Sequence, residues 1–359
     1  VCEWTRPAGV TSAEYLLVGG GGGGGGGRGG GGGGGGVLTG TWNTLNEYTA
    51  FNIWVGSAGS GSSSAQRGVN GGWSAIVPPD SGVPGLYLWA GGGGGGGSGS
   101  TNGSISYGGN ADALAGASIS QVRGNGGGAG FNFAISPTRY WSLGGTGAFN
   151  GGNTYLCDTG DVTHDQNRST GGGGGAGGNG GGFGTAGVSL PSQCLRNVFG
   201  QLESTFSSRG VKSDGGIGKY DSLTNEICQL TAMQSIFSCT QLSNKYFGAG
   251  GGGSDGRGAN ETGFNGLGAG SPGDSGGGYG QIKQSGTGDY FSAGKANTGG
   301  GGGGGLGTGA AGGSGLVVLV VTKSTPTISY ASSLKSAMLK KRNAYTLPVA
   351  SSSPSNGLG

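Results

Sequence analysis

Five cysteines are the residues best suited to covalent chemistry: Cys2, Cys157, Cys194, Cys228 and Cys239. No two of them are separated by only two residues, so the spacing argues against a zinc cluster. We predict up to two disulfides among Cys157, Cys194, Cys228 and Cys239, with the connectivity left open. Buried thiols in a reducing compartment are the alternative. Cys2 is then left over, either free or linking two subunits.

A serine nucleophile is the next chemistry to consider. Residues 273–277 read Gly-Asp-Ser-Gly-Gly, which resembles the nucleophile loop of trypsin-like proteases, and the single histidine, His164, precedes Ser275 as in that family. His164 lies in Val-Thr-His-Asp-Gln rather than in the Ala-His-Cys context of those enzymes. Because 100 of the 359 residues are glycine, such a string arises easily by chance. We therefore predict no catalytic residues and no enzyme.

Glycine-rich cofactor and metal motifs are equally weak. Matches to Gly-x-Gly-x-x-Gly occur, but none lies in a strand–turn–helix unit with an acidic residue about 20 positions later. Residues 253–258, Gly-Ser-Asp-Gly-Arg-Gly, resemble glycine–aspartate calcium repeats, yet no repeat follows. We predict no cofactor and no metal ion.

Three asparagines fit the N-glycosylation pattern, namely Asn102, Asn167 and Asn260. They are candidates for modification in an exported protein. The sequence begins at Val1 rather than at Met, and processing together with oxidised cysteines would indicate export. We therefore expect an extracellular or cell-surface location, with a virion as the alternative.

Charge and hydropathy exclude two classes of partner. Charged residues make up 10% of the chain and the net charge is +3, which is too balanced for a surface that follows nucleic-acid phosphates. No apolar stretch reaches the 18 or more residues typical of a membrane-spanning helix. We expect no nucleic acid and no membrane span.

Glycine dominates the organisation of the chain. It occurs in consecutive runs at residues 19–27, 29–36, 91–97, 171–175 and 299–305. Collagen is excluded because it needs glycine at every third position and abundant proline. A flexible linker or a disordered segment would also suit such a composition. We favour an ordered array of extended glycine helices, because strand-like sequences flank the runs.

The physical basis of such an array is backbone hydrogen bonding between neighbouring glycine helices. A polyglycine-II helix rises about 3.1 Å per residue and makes no internal hydrogen bonds. Its N–H and C=O groups point outward, and buried backbone groups must be paired. Close packing of these helices allows neighbours to supply the partners, and a Cβ facing a neighbour would clash.

The flanking sequences predict β-strands. A strand is expected after the Pro-Gly turn and up to residue 18, and another over 316–321, Leu-Val-Val-Leu-Val-Val. Residues 37–44 and 48–55 look like a hairpin joined by 45–47. Shorter strands are expected at 86–90, 131–135 and 139–143. We predict a mainly β fold: a β-sandwich or jelly-roll-like sheet layer carrying a bundle of polyglycine-II helices.

Residues 190–246 differ because glycine becomes scarce and helical spacing appears. Leu195, Val198, Phe199, Leu202 and Phe206 follow the spacing of one helix face. We predict a small inserted helical subdomain with a packed core.

The six tryptophans lie near predicted strands: Trp4, Trp42, Trp54, Trp73, Trp89 and Trp141. One interpretation is a face that stacks on sugars. The other is that these aromatic rings seal the sheet layer beneath the glycine array. We favour sealing.

Five blocks in order resemble a known family. They are the opening WTRPAGVTSAEYLLVGGGGGG, the following VLTGTWNTLNEYTAFNIWVGSAG, then LYLWAGGGGGGG, SNKYFGAGGGG and the closing GGSGLVVLVV. Together they resemble the glycine-rich domains of phage tail and tail-fibre proteins and of bacterial surface proteins. A more distant likeness is to the glycine-rich ectodomain of anaplastic lymphoma kinase receptors. The resemblance implies a structural or receptor-binding module, whereas the insert from about residue 190 to 242 and the tail after residue 322 are unmatched.

The domain organisation follows from these blocks: a glycine-rich domain over 1–322 and a tail over 323–359. We expect the tail to dock on a neighbouring copy, with Tyr345, Leu347 and Val349 in an added strand. A head-to-tail contact of this kind propagates into a filament. We therefore predict a self-assembling subunit of an extracellular filament or surface appendage. The alternative is a phage tail-fibre or adhesin component that binds a host receptor or surface glycan.

Overall fold

The structure is a computed structural model. It describes residues 1–43, 45, 48–63, 66–78, 88–99, 107–111, 121–130, 139–152, 154–157, 170–181, 214–223, 246–254, 276–278, 280, 282–284, 287–290 and 292–323. The chain divides into two compact units, Val1–Ser324 and Thr325–Gly359. The second unit lies outside the described residues.

The described residues form strands with almost no helix. The strands are β1 Cys2–Thr5, β2 Val10–Val18, β3 Val37–Trp42, β4 Ala50–Trp54, β5 Ser74–Val77, β6 Leu88–Ala90, β7 Gln121–Val122, β8 Arg139–Ser142, β9 Thr154–Cys157, β10 Lys219–Tyr220, β11 Tyr246–Phe247, β12 Ile282–Gln284, β13 Thr287–Tyr290 and β14 Leu316–Lys323. The prediction of a mainly β protein is confirmed.

A three-stranded antiparallel sheet has the order β14–β2–β3 and joins the two ends of the first unit. In β2, side chains alternate between the two faces of the sheet. Tyr15 and Leu17 belong to one hydrophobic cluster, whereas Leu16 and Val18 belong to another. Both faces are therefore buried near the end of β2, which explains its run of consecutive apolar residues.

A five-stranded sheet has the order β1–β4–β5–β6–β7, with β6 and β7 parallel and the other pairs antiparallel. Phe51 of β4 and Ile76 of β5 are fully buried and belong to the same cluster as Tyr15 and Leu17 of the three-stranded sheet. The main hydrophobic core thus lies between the two sheets. Its aromatic part is an edge-to-face contact of Trp42 with Phe51 at 4.9 Å between ring centroids.

The opposite face of the three-stranded sheet is covered by a second cluster. Leu16, Val18 and Val318 pack there with Leu223 and Phe247, all of them buried. Phe247 lies in the short β11, which pairs with β10. The second cluster therefore brings residues distant in sequence onto the outer face of this sheet.

The predicted hairpin over 37–55 is wrong. β3 pairs with β2, from Val18↔Val37 to Ala13↔Trp42, while β4 pairs with β1 and β5. The two strands consequently belong to different sheets. The chain between β2 and β3 folds back on itself, so β3 pairs with β2 in the three-stranded sheet rather than with β4.

Other predicted strands are found in the described chain. The strand expected at 316–321 is β14, that at 86–90 contains β6, and that at 139–143 contains β8. The strand predicted at 131–135 lies outside the described residues. So does the helical insert at 190–246, apart from residues 214–223, which hold the short β10, and Tyr246, which begins β11.

Candidate functional site: the hydrogen-bonded glycine segments

The pairing of β2 with β3 continues without a shift into the glycine runs. We call residues 19–26 the first glycine segment and residues 29–36 the second. After the pair Val18↔Val37, the N–H groups of Gly19, Gly22 and Gly25 donate to the carbonyls of Gly36, Gly33 and Gly30 at 3.0, 2.8 and 2.9 Å. The two segments are therefore antiparallel, and a hydrogen bond of this set recurs at every third residue.

A tight turn joins the two segments. Gly27 and Arg28 have φ values of 63° and 68°, as required at both central positions of a type I′ turn. Glycine adopts this conformation without steric cost, whereas Arg28 does so against the usual preference of residues with a Cβ. The turn lies at the ends of the two segments that are farthest along the chain from β2 and β3.

The remaining N–H groups of the first segment point to two other neighbours. They also recur at every third residue: Gly20 and Gly23 donate to Gly72 and Val69 at 2.8 and 2.9 Å, and Gly21 and Gly24 donate to Gly313 and Ala310 at 2.9 and 2.8 Å. Successive residues thus face three different directions. This threefold pattern differs from the twofold alternation of a β-strand.

The carbonyl groups of the first segment accept from three further neighbours. The donors again come in pairs three residues apart: Gly93 and Gly96 to Gly20 and Gly23, Gly59 and Ser62 to Gly21 and Gly24, and Gly302 and Gly305 to Gly22 and Gly25. The first segment is therefore surrounded by six stretches of the same chain. From Gly20 to Gly25, its polar backbone groups are satisfied in the interior by backbone partners alone.

The second glycine segment has the same kind of environment. Its N–H groups donate to three stretches: Gly30, Gly33 and Gly36 to Gly97, Gly94 and Gly91, Gly31 and Gly34 to Gly171 and Gly174, and Gly32 and Gly35 to Gly302 and Gly299. All five glycine runs of the sequence thus meet in one hydrogen-bonded array.

Close packing explains why glycine is required in both segments. A Cβ added at Gly22 would lie far inside the van der Waals radius of the Gly94 carbonyl oxygen, and one added at Gly33 would overlap the carbonyl of Asn125. The obstructing atoms belong to backbone, which cannot move aside without breaking its own hydrogen bonds. Gly307 is different, because nothing lies within 4 Å of an added Cβ there.

Stretches with mixed composition also belong to the array, and sequence reasoning missed them. Their exposed side chains include residues three apart, as in Ser57, Ser60 and Ser63, in Arg67, Asn70 and Trp73, and in Thr308, Ala311 and half-buried Ser314, and some residues between them, such as Ala58 and Val69, are exposed as well. We call these positions the rim. A spacing of three between non-glycine residues in glycine-rich sequence is the signal that would have found them.

Buried hydroxyl groups complete the hydrogen bonding next to the turn. Gly26 N–H donates to Ser98 Oγ at 3.1 Å, while Thr170 Oγ1 and Ser254 Oγ both donate to the Gly29 carbonyl at 2.9 Å. Ser98, Thr170 and Ser254 are fully buried. These side chains replace backbone partners where neighbouring stretches end.

Asparagine amides play the same part elsewhere in the array. Buried Asn125 donates from Nδ2 to the carbonyls of Gly34 and Gly35 at 2.9 and 3.2 Å. At the surface, Asn70 accepts from Gly95 N–H at 2.8 Å and donates to the Asn110 carbonyl at 3.0 Å. A primary amide has both a donor and an acceptor, so it can replace a peptide group.

The tryptophans divide into two groups. Trp42 and Trp89 are buried, and Trp4 packs on Phe51 at 5.7 Å between centroids, as sealing of the sheets requires. Trp54 and Trp73 contact each other at 5.2 Å and are exposed by 39% and 38%. Trp141 lies in β8.

Most predicted site residues lie outside the described residues. These are Cys194, Cys228 and Cys239, the asparagines Asn102, Asn167 and Asn260, the tail residues Tyr345, Leu347 and Val349, and the rejected pair His164 and Ser275. Cys157 ends β9, and Cys2 in β1 is an exposed free thiol. The disulfide, glycosylation and tail assignments stay predictions.

The described part of the chain contains no cluster of three or more His, Cys, Asp or Glu side chains arranged to hold a metal ion. Among the same residues, no helix combines the length and apolar character needed to cross a membrane.

Residues 1–322 match the family model described as "Glycine-rich domain". No curated protein matches the chain at a significant level. The matched region includes both sheets and every glycine run.

Proposed function

Because the chain belongs to the glycine-rich domain family, we propose that it is a non-enzymatic structural protein. In this proposal it is a self-assembling subunit of an extracellular filament or surface appendage. The glycine segments are polyglycine-II helices that form a rigid bundle on the β-sheets. At about 3.1 Å per residue, an eight-residue segment extends about 25 Å beyond its sheet.

The observation that carries the proposal is the six-neighbour environment of the first glycine segment. Its N–H groups are bonded at distances from 2.8 to 3.0 Å between Gly19 and Gly25. Bending such a segment would break hydrogen bonds to several neighbours at once. A unit of this kind transmits force along its axis and holds its ends at a fixed separation.

The packing also supports a non-enzymatic role. Catalytic and ligand-binding sites gather a few polar side chains around a concave pocket. The glycine array has backbone at the positions that side chains would need, as at Gly22 and Gly33. Most of its volume is therefore closed to convergent catalytic groups.

Side chains on the rim limit the directions in which copies can assemble. Ser57, Ser60 and Ser63 are exposed on one stretch, and Thr308 and Ala311 on the stretch hydrogen-bonded to it through Gly309 and Gly312. Their Cβ atoms keep another glycine helix from approaching at hydrogen-bonding distance. Growth by lateral addition of glycine helices is thus unfavourable, and contacts between ends or sheet edges are favoured.

The predicted tail fits this direction of growth. Residues 345–349 contain Tyr345, Leu347 and Val349, and an extended peptide of this type adds to the edge of a sheet. Among the described strands, β1 forms one edge of the five-stranded sheet. In the proposal, the tail of one copy pairs with an open edge of the next copy.

Truncation tests the assembly proposal. We expect a chain lacking residues 325–359 to keep the unfolding temperature of the first unit, Val1–Ser324, and to lose filaments in electron micrographs. The Leu347→Asp and Val349→Asp variants should also abolish filaments, whereas Ser352→Asp should not. Filaments of normal length from the truncated chain would refute the role of the tail.

Export is tested separately by mass spectrometry of the natural protein. We expect peptides of Cys157, Cys194, Cys228 and Cys239 to be cross-linked before reduction. Glycans at Asn102, Asn167 or Asn260 would add support. Alkylation of all four thiols without prior reduction would contradict the proposed extracellular location.

The second candidate function is a tail-fibre or adhesin component that binds a host receptor. One specific observation favours it, the exposed pair of Trp54 and Trp73, because large aromatic side chains are enriched in recognition surfaces. Retention of the purified protein on intact host cells, measured by fluorescence, tests this function. If the protein were not retained on any candidate host, the receptor-binding function would be rejected and the filament proposal would remain.

A further inference from the structure

On the outer face of the five-stranded sheet, Trp54 and Trp73 are exposed, whereas Ala75 and Trp89 on the same face are buried. Phe51 points into the core, so the alternation of β4 places Asn52 and Trp54 on the outer face. Trp54 lies opposite Ala75 in β5, and Trp73 is two residues before Ala75. The two indoles are therefore diagonal neighbours on one face, with centroids 5.2 Å apart and planes inclined by 46°.

Polar groups lie beside this aromatic pair. Asn52 is two residues before Trp54 and pairs directly with Glu3 of β1, which is exposed. Two residues along a strand correspond to about 6.8 Å, and directly opposite residues have Cβ atoms about 5 Å apart. The Asn52 amide and the Glu3 carboxylate therefore lie close enough to the two indole rings for one small ligand to contact all of them.

We propose that Trp54, Trp73, Asn52 and Glu3 form a carbohydrate-binding platform for a β-linked hexopyranose chain. The ring of such a sugar has equatorial hydroxyl groups and a face of axial C–H groups. That face lies on one indole while the edge of the ring contacts the other, inclined indole. The Glu3 carboxylate accepts hydrogen bonds from sugar hydroxyls, and the Asn52 amide both donates and accepts.

The size of the aromatic surface argues for a small ligand. Aromatic side chains present about 150–250 Å² each, so two rings exposed by 39% and 38% offer on the order of 150 Å² together. A stable protein complex buries about 800 Å² per partner. The platform is therefore much too small for a protein interface by itself, and it matches one or two sugar rings.

This platform is independent of the proposed filament assembly. It lies on a sheet face, whereas the assembly contact involves the tail and a sheet edge. A filament subunit and a tail-fibre component could each carry it. Loss of sugar binding would therefore leave the assembly proposal unaffected, and the reverse also holds.

Isothermal titration with cellotetraose and chitotetraose tests the platform on the full chain. We expect at least one of these probes to bind, and Trp54→Ala or Trp73→Ala to weaken that binding about tenfold, as expected for loss of one stacking contact. Trp54→Phe and Trp73→Phe should retain most of the affinity because they keep an aromatic plane. Glu3→Gln should weaken binding less than either alanine variant.

The matched control is Tyr220→Ala, which removes another exposed aromatic side chain from a pair, that of Tyr220 with Tyr246 at 5.6 Å. Its affinity for the probes should equal that of the unmodified protein. Absence of binding to both tetrasaccharides, or equal binding by the Trp54→Ala/Trp73→Ala double variant, would overturn the proposal. A dimer of the unmodified protein, detected by sedimentation and dissociated only by this double variant, would also overturn the proposal. The platform would then be occupied by a second copy of the chain.

Discussion

At the scale of single residues, the array imposes glycine through contact with backbone rather than through conformation alone. Gly22 and Gly307 illustrate the difference. An added Cβ at Gly22 overlaps a carbonyl group of a neighbouring stretch, whereas Gly307 is exposed and has open space around it. The large glycine content is therefore a packing requirement at some positions and incidental at others.

The first prediction compares alanine at these two positions. We expect Gly22→Ala to lower the free energy of unfolding by about 3 kcal/mol or more, because the overlapping backbone cannot relax. Gly307→Ala should change it by less than about 0.5 kcal/mol, as for most surface substitutions. Denaturant unfolding followed by circular dichroism measures both. Equal stability of the two variants would contradict the packing argument.

Asn125 supports a second prediction, which concerns pH. Asn125→Asp replaces an amide donor to two carbonyl groups by a buried carboxyl group. Burial and the facing carbonyls raise the pKa of this carboxyl in the folded state above its unfolded value of about 3.9. The folded protein then binds more protons, so the loss of stability grows as the pH rises above about 4.

The magnitude at pH 7 should be about 3 kcal/mol, since the charged form is buried against two carbonyl groups and has a single long contact with a donor, the N–H of Phe149 at 3.3 Å. The control is Asn70→Asp, at an exposed amide that also donates to a carbonyl, which should cost less than about 1 kcal/mol. Unfolding free energies at several pH values test both variants. If the loss of unfolding free energy in Asn125→Asp did not change with pH, the carboxyl group would not be buried.

At the scale of elements, the turn between the glycine segments determines where the chain reverses. Arg28 has a φ of 68°, a region in which a residue with a Cβ is strained and asparagine is tolerated. The positive φ values of Gly27 and Arg28 define the point at which the two antiparallel segments meet.

The third prediction compares two replacements of Arg28 that both remove its guanidinium. Arg28→Val should be at least about 1 kcal/mol less stable than Arg28→Asn, because a β-branched side chain tolerates positive φ poorly. Thermal unfolding of both variants in the same buffer measures the difference. If Arg28→Val were as stable as Arg28→Asn, the turn would have another conformation.

The elements also show what the sequence can predict. The apolar patterns before residue 18 and after residue 316 are local properties, and both strands were predicted from them. The partner of β3 was not, because pairing depends on the reversal at Gly27 and Arg28. Arg28 is visible as a break in the glycine run, but arginine is not a residue that indicates a turn. The hydrogen bond from Gly23 to Val69 joins residues with no local signal linking them.

The candidate site divides in the same way. Long glycine runs indicated an ordered array, but stretches such as 57–63 were missed because serine interrupts them. Their spacing of three is visible in the sequence and has a physical cause, since every third residue, such as Gly56, Gly59 and Ser62, is buried against the array. For the tryptophans, composition gave no means of separating buried Trp42 from exposed Trp54, because exposure depends on the sheet face.

At the scale of the whole molecule, sheets and glycine array act as one unit. The register of β2 with β3 and with β14 continues into the glycine stretches, from Leu316↔Val18 to the hydrogen bond of Gly21 with Gly313. Strain applied to the array is thus carried directly into the sheet hydrogen bonds and the core around Leu17 and Phe51. This continuity is what a load-carrying subunit requires.

Amide hydrogen exchange, measured by NMR on the intact chain, tests the central claim most directly. If the glycine segments are rigid and laterally bonded, the amides of Gly20 to Gly25 should exchange as slowly as those of Leu16 and Leu17 in β2, because both are buried and hydrogen-bonded. Exchange of these glycines at the rate of an unstructured glycine peptide, with β2 still protected, would contradict the account.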